Sequence, residues 1–107
     1  MNINPDELTV TDNTAESRYQ IQVGAYVAFA AYHLNSGGDT ITFTHTEVPK
    51  ELEGGGVGGK LARFALDDSR ARGRTVIPEC PFIAAYIRRH PEYQDLVYAS
   101  HTPHIQS

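Results

Sequence analysis

Glu53-Gly54-Gly55-Gly56-Val57-Gly58-Gly59-Lys60 sits between a β-branched run and an amphipathic one, and it sets the reading of the chain. Five glycines fall in six positions. Without a Cβ, such a loop can turn tightly and bring backbone N–H groups close to a ligand. Residues 57–72 carry a helical pattern. Val57, Leu61, Phe64 and Ala65 recur at i, i+4, i+7 and i+8 as an apolar stripe, while Lys60, Arg63, Asp67 and Arg70 lie mostly elsewhere. Gly73 is a suitable C-cap. The start of that helix offers unpaired N–H groups and the positive end of a dipole, which suits phosphate or pyrophosphate.

Before the loop, residues 39–48 read as a strand that Pro49 ends. Strict alternation places Ile41 and Phe43 on one face with His45 and Glu47, and Thr40, Thr42, Thr44 and Thr46 on the other. Further upstream, Tyr19, Ile21 and Val23 alternate with Arg18, Gln20 and Gln22, a half-buried strand. Residues 25–34 are apolar on both faces, which fits a central strand covered on both sides. Asn35-Ser36-Gly37-Gly38 reads as a hairpin loop. Residues 1–15 read as a mobile lead-in or a short edge element. Beyond the helix, Thr75, Val76 and Ile77 form a short strand and Pro81 opens a second helix. Its apolar side is Phe82, Ile83, Tyr86 and Ile87, and Pro91 ends it. Residues 93–98 form a final turn or strand, and 99–107 a mobile tail. The order β-β-β-loop-α-β-α predicts an α/β fold. Its mixed sheet has an antiparallel meander, then a right-handed β-α-β crossover that sets the last two strands parallel, then a C-terminal helix.

The chain's 107 residues fit one domain. A net charge of −4 argues against a general nucleic-acid surface and is compatible with a cationic amine substrate. One cysteine, Cys80, permits no intrachain disulfide and favours a reducing compartment. No apolar run approaches the ~20 residues of a membrane span, and the first residues lack a signal-peptide pattern; the expected location is the cytoplasm. His101 and His104 have no carboxylate or thiol beside them, so no metal site is expected.

Three readings of the glycine loop compete. Gly54 to Lys60 satisfies G-x-x-x-x-G-K, but Leu61 stands where a nucleotide-binding P-loop needs Ser or Thr for Mg²⁺. A flexible connector is the second reading. The third is a coenzyme A pyrophosphate loop. Glu53-x-x-Gly56-x-Gly58 resembles the Q/R-x-x-G-x-G/A signature of the GNAT N-acetyltransferase superfamily, with Glu53 in place of Gln or Arg. His45-Thr46-Glu47-Val48-Pro49, Pro78-Glu79-Cys80-Pro81-Phe82, Tyr86-Ile87 and His90-Pro91-Glu92-Tyr93 resemble a small single-domain branch of that superfamily. The resemblance spans residues 18–97. It implies acetyl-CoA as the cofactor, held by Val48, Gly54, Gly55, Gly56, Val57, Gly58, Gly59 and Lys60. Against the longer members it resembles, the chain is expected to lack the N-terminal strand and helices that form much of the acceptor site.

Four residues are candidates for chemistry. Cys80, before a proline that opens a helix, is placed as the N-cap, where the helix end favours the thiolate. It would suit a nucleophile that carries the acetyl group, or be a buried structural cysteine. Glu47 and His45 could each deprotonate an ammonium substrate, directly or through water. Alternatively, they are an exposed edge carboxylate and a packing histidine. Tyr86 is either core packing or, as the resemblance implies, a donor of a proton to the leaving thiolate. The resemblance thus implies an N-acetyltransferase acting on an amine, by direct attack or through an acetyl-cysteine. The alternative is a non-catalytic binder of coenzyme A or acyl-CoA. The expected partners are acetyl-CoA and an amine, with the chain a monomer or weak dimer, and neither nucleic acid nor membrane bound.

Overall fold

The structure is a computed structural model that describes residues 7–97. Of the mobile ends expected over residues 1–15 and 99–107, residues 1–6 and all of 99–107, with the two tail histidines, lie outside the described residues.

Five strands form one sheet in sequential order: β1 (Val10–Asn13), β2 (Arg18–Val23), β3 (Tyr26–Leu34), β4 (Thr40–Glu47) and β5 (Thr75–Pro78). The first three pairings are antiparallel and β4 runs parallel to β5. The crossover between them is α1 (Val57–Ala71), and α2 (Pro81–Arg89) follows β5. Short 3₁₀ segments at Lys50–Leu52 and Pro91–Leu96 complete these elements among the described residues. The meander, the crossover and the two helices are those the sequence predicts.

The turns follow local chemistry. Gly24 and Gly38 take positive φ, which an L side chain resists. Asn35 ties the β3–β4 loop, its side-chain oxygen accepting from the N–H groups of Asp39 and Thr40. Pro81 occupies the first turn of α2, where its missing N–H costs nothing.

The core lies between one face of the sheet and the helices. Tyr19, Ile21, Ala28, Ala30, Ile41 and Phe43 meet Leu61, Ala62, Ala65 and Leu66, all fully buried. The layer of helices is knit together on this same side. Tyr93 donates its hydroxyl to Asp67 at 2.7 Å, and Arg70 clasps Asp95 with both terminal nitrogens at 2.9 Å. Two further tyrosines close the far end: Tyr19 donates to Asp68 at 2.6 Å and Tyr32 to Asp12 at 2.7 Å.

Four expectations need correction. The sheet has five strands where the predicted order has four, because the short edge element offered for residues 1–15 is a strand: β1 pairs along β2 from Val10 to Asn13, held by the buried Val10 and by Asp12. The central strand β3 is covered on one face only. Val27, Phe29 and Ala31 on its other face are half-buried and no helix of the described residues lies over them. Phe64 is not part of the buried stripe; it is 40% exposed and meets Tyr19 edge-on. The stripe instead runs through Val57, Leu61, Ala62, Ala65, Leu66 and Ser69.

The fourth correction concerns β4. Tyr32 pairs with Phe43 but Ala31 pairs with His45, so Thr44 is an extra residue, a β-bulge. The alternation therefore slips by one. His45 and Glu47 pair with Ala31 and Phe29 and share their open face, whereas Thr46 pairs with the fully buried Ala30 on the helix side. Ile41 and Phe43 do not share a face with His45 and Glu47.

Candidate functional site

The bulge lies where β4 and β5 part. Their ladder ends at Phe43 and Pro78. The next link is the N–H of Cys80, which donates to the carbonyl of Phe43 at 2.8 Å, after which the chain turns into α2. Beyond this point the end of β4 has no parallel neighbour, and the sheet opens.

Cys80 is the N-cap of α2, as its place before Pro81 predicts. It is 2% exposed. Its Sγ lies 3.2 Å from Thr46 Oγ1, across the opening. Thr46 thus faces Cys80, and its neighbours His45 and Glu47 project from the other side of the strand. On that side the ring of Phe29 carries the Arg18 guanidinium at 4.7 Å and meets the ring of His45 edge-on. Cys80 and Glu47 therefore flank the opening from opposite faces.

The glycine loop forms the third wall. Gly54 and Gly56 take positive φ, and Gly56 caps α1 in the left-handed region. The first helical bond is Lys60 N–H to the Gly56 carbonyl at 3.0 Å. The N–H groups of Val57, Gly58 and Gly59 are left without an intrahelical acceptor. A Cβ on Gly58 would lie 2.9 Å from the Phe82 ring, so this glycine lets α1 and α2 approach. A Cβ on Gly59 would meet nothing within 4 Å. Packing gives no reason for glycine there, in a helical turn where it costs about 0.5–1 kcal/mol relative to alanine.

Two cavities share Gly56 and Gly59. One, of about 440 Å³, runs from the loop past Val48 and Leu52 to Thr46 and Phe82. The other, of about 510 Å³, is the groove between α1 and α2. Lys60, Arg63, Phe64 and Asp67 line it from α1, and Tyr86 and His90 from the opposite side.

Tyr86 belongs to this second cavity. It stacks on His90 with ring centroids 3.9 Å apart, and Nδ1–H of His90 donates to the Tyr86 carbonyl at 2.8 Å. Burial raises the Tyr86 pKa, against the lowering effect of Arg63, so the phenol keeps its proton. Six residues of helix separate Tyr86 from the N-cap, about 9 Å of rise. The structure brings Val48 and the loop glycines into one cavity with Thr46, and Cys80 adjoins that cavity through Thr46. It sets Tyr86 in the neighbouring groove and puts His45 and Glu47 across the sheet.

Sequence reasoning missed Thr46 and gave Arg63, Phe64 and His90 no part in a site. Lys60, Arg63, Phe64 and Asp67 carry the i, i+3, i+4, i+7 spacing of one helix face, so that half of the groove was open to pattern reading. Thr46 could not be found without the bulge. Among the described residues no three His, Cys, Asp or Glu side chains are grouped to hold a metal ion. No helix of the described residues is long and apolar enough to cross a membrane.

A meander, a parallel crossover and a glycine loop at the mouth of the crossover helix, beside a parting of the two parallel strands, define a GNAT-like fold. The model of the GCN5-related N-acetyl-transferase family matches residues 18–96, and the chain belongs to that family. No curated protein matches the sequence.

Proposed function

We propose that the chain transfers an acetyl group from acetyl-CoA to an amine. The observation that carries this is the loop. Three N–H groups without helical partners open onto a cavity that leads to Thr46 and lies beside Cys80, and Gly59 leaves room for close approach. The pyrophosphate would sit on the N–H groups of Val57, Gly58 and Gly59, and the thioester arm would run along Val48 towards the opening. Family membership supports transfer rather than storage of the acyl group.

The two faces divide the work. The thioester arrives from the helix side. The amine arrives on the open face, where Glu47 is exposed and can take its proton. The free amine attacks the thioester carbonyl, the C–S bond breaks, and the coenzyme leaves as a thiolate that takes up a proton. The position of Cys80 favours a second route, in which its sulfur first takes the acetyl group and passes it to the amine. A lone free cysteine also fits a cytoplasmic setting.

Acetyl-CoA turnover with a panel of amines and basic peptides tests the reading. Glu47→Gln should lower turnover by about 10²-fold and leave acetyl-CoA affinity unchanged. Binding without turnover on any acceptor would reduce the protein to a carrier. Mass spectrometry after acetyl-CoA treatment separates the routes: an acetyl adduct on Cys80, absent in Cys80→Ala, supports the covalent one, and its absence supports direct attack.

A further inference from the structure

We propose that the open face of the sheet selects an acceptor that carries its own carboxylate, a small free amino acid, with Arg18 as the anchor for that carboxylate. This rests on the acetyl-transfer reading, in which Glu47 takes the proton of the amine. Arg18 is the only lysine or arginine on the five strands. Glu47 is the only acid that the strands turn to the open face, since Asp12 meets Tyr32 on the helix side. The pairings bring the two near each other. Arg18 and His45 flank Ala31 in one row across the sheet, and Gln20 and Glu47 flank Phe29 in the next. The Cα atoms of Arg18 and Glu47 are thus two strands and two residues apart, about 12 Å at ~4.8 Å per strand and ~3.3 Å per residue. Arg18 leans along that diagonal, for its guanidinium lies over the Phe29 ring, 4.7 Å from the centroid. Among the described residues it forms no ion pair, with Glu47 or with any other acid.

The guanidinium is set in advance. Its Nε–H donates to Gln20 Oε1 at 2.9 Å, and the same oxygen accepts from Asn13 Nδ2 at 3.0 Å. The two terminal nitrogens have no acceptor among the described residues, and both are open to solvent. A planar fork with one edge fastened and the other free takes a carboxylate through two parallel N–H···O bonds. Holding it against Phe29 beforehand lowers the entropy lost on binding. Arg70, by contrast, already commits both terminal nitrogens to Asp95. Opposite charges set on either side of an aromatic ring complement a small zwitterion, with its carboxylate on Arg18 and its ammonium at Glu47. Once Glu47 has taken the proton, the free amine lies at the end of β4, where the sheet opens. A diamine would bring a second cation against Arg18 and is disfavoured.

Acetyl-CoA turnover by the full chain on free amino acids, their primary amides, alkylamines of equal length and basic peptides tests the assignment. Wild type should show a kcat/KM for each acid about tenfold above that for its amide, the scale of a charge-assisted hydrogen bond. The amide has the less basic amine, which alone would favour it at neutral pH, so a preference for the acid reports the anchor. Arg18→Met should bring acid and amide to the same kcat/KM. Arg18→Lys, a charge without the fork, should keep part of the preference. Gln20→Leu keeps the charge and releases Nε; it should lessen the preference through KM, with kcat retained. Melting curves verify that the variants fold. Equal kcat/KM of wild type for acid and amide, or turnover confined to alkylamines or basic peptides, would overturn the anchor and leave acetyl transfer standing. No turnover on any of these amines would overturn acetyl transfer and the anchor with it.

Discussion

The two faces of the sheet are built to different rules. Towards the helices, β2, β3 and β4 present Tyr19, Ile21, Ala28, Ala30 and Phe43, all fully buried. Every tyrosine hydroxyl that donates there meets an aspartate. Towards solvent, the same strands present Gln20, Gln22, Phe29, His45 and Glu47, and the one aromatic ring is flanked by Arg18 and His45. One face carries the core and both cavities, and the other is left bare. The bulge at Thr44 decides which residue of β4 belongs to which.

Phenylalanine on each face gives the sharpest way to break this comparison. Phe43→Ala should cost about 3–5 kcal/mol of unfolding free energy, the range for a fully buried aromatic. Phe29→Ala, half-buried under a guanidinium, should cost about 1–2 kcal/mol. Urea unfolding measures both. Equal losses would mean that something covers the open face.

Alkaline pH strikes the helix side alone. Burial first, and then the hydrogen bond to Asp12, push the Tyr32 pKa up to about 12. Burial and Asp67 do the same for Tyr93, also to about 12, and burial and Asp68 raise Tyr19 further. The unfolded chain loses these protons near the usual value of about 10, so above that pH it binds fewer protons than the native state. Stability from these groups is complete below pH 10 and falls as pH rises towards 12. Urea midpoints at pH 9, 10 and 11 should drop progressively, and Tyr32→Phe should lessen the decline. A flat profile would deny the buried tyrosine–aspartate pairs.

The smallest effect has two signs. Gly59→Ala should stabilise the ligand-free protein by up to about 1 kcal/mol, since nothing opposes the added methyl and helix propensity improves. It should also weaken acetyl-CoA binding. A gain in melting temperature with unchanged affinity would detach Gly59 from the ligand.

The topology was legible because its signals are local and unambiguous: turn glycines, prolines after β4, at the end of β5 and at the start of α2, and one amphipathic run. The glycine loop was legible for the same reason. What escaped depends on partners distant in sequence. A bulge inside a run where threonine recurs at every second position leaves no trace in the pattern, so His45 and Glu47 were given the wrong face. The strand β1 has a single buried apolar residue, Val10, so the sequence offered an edge element there without choosing it over a mobile lead-in, and the pairing with β2 decides between them. Phe64 fits the helical stripe by spacing, yet it lies at the stripe's margin, where Tyr19 meets only its edge and 40% of it stays exposed. The groove between α1 and α2 depends on how closely the two helices approach at Gly58 and Phe82, which no single segment encodes.

The short first strand has a further consequence. An unpaired sheet margin invites another chain to add to it. Here that margin is four residues long and bears an aspartate already committed to Tyr32. At the opposite margin Val97 bridges to Val76 and occupies part of β5's outer side. Both rims of the sheet are thus poor templates for strand-on-strand stacking, a safeguard against fibre growth in a molecule that leaves one broad surface bare.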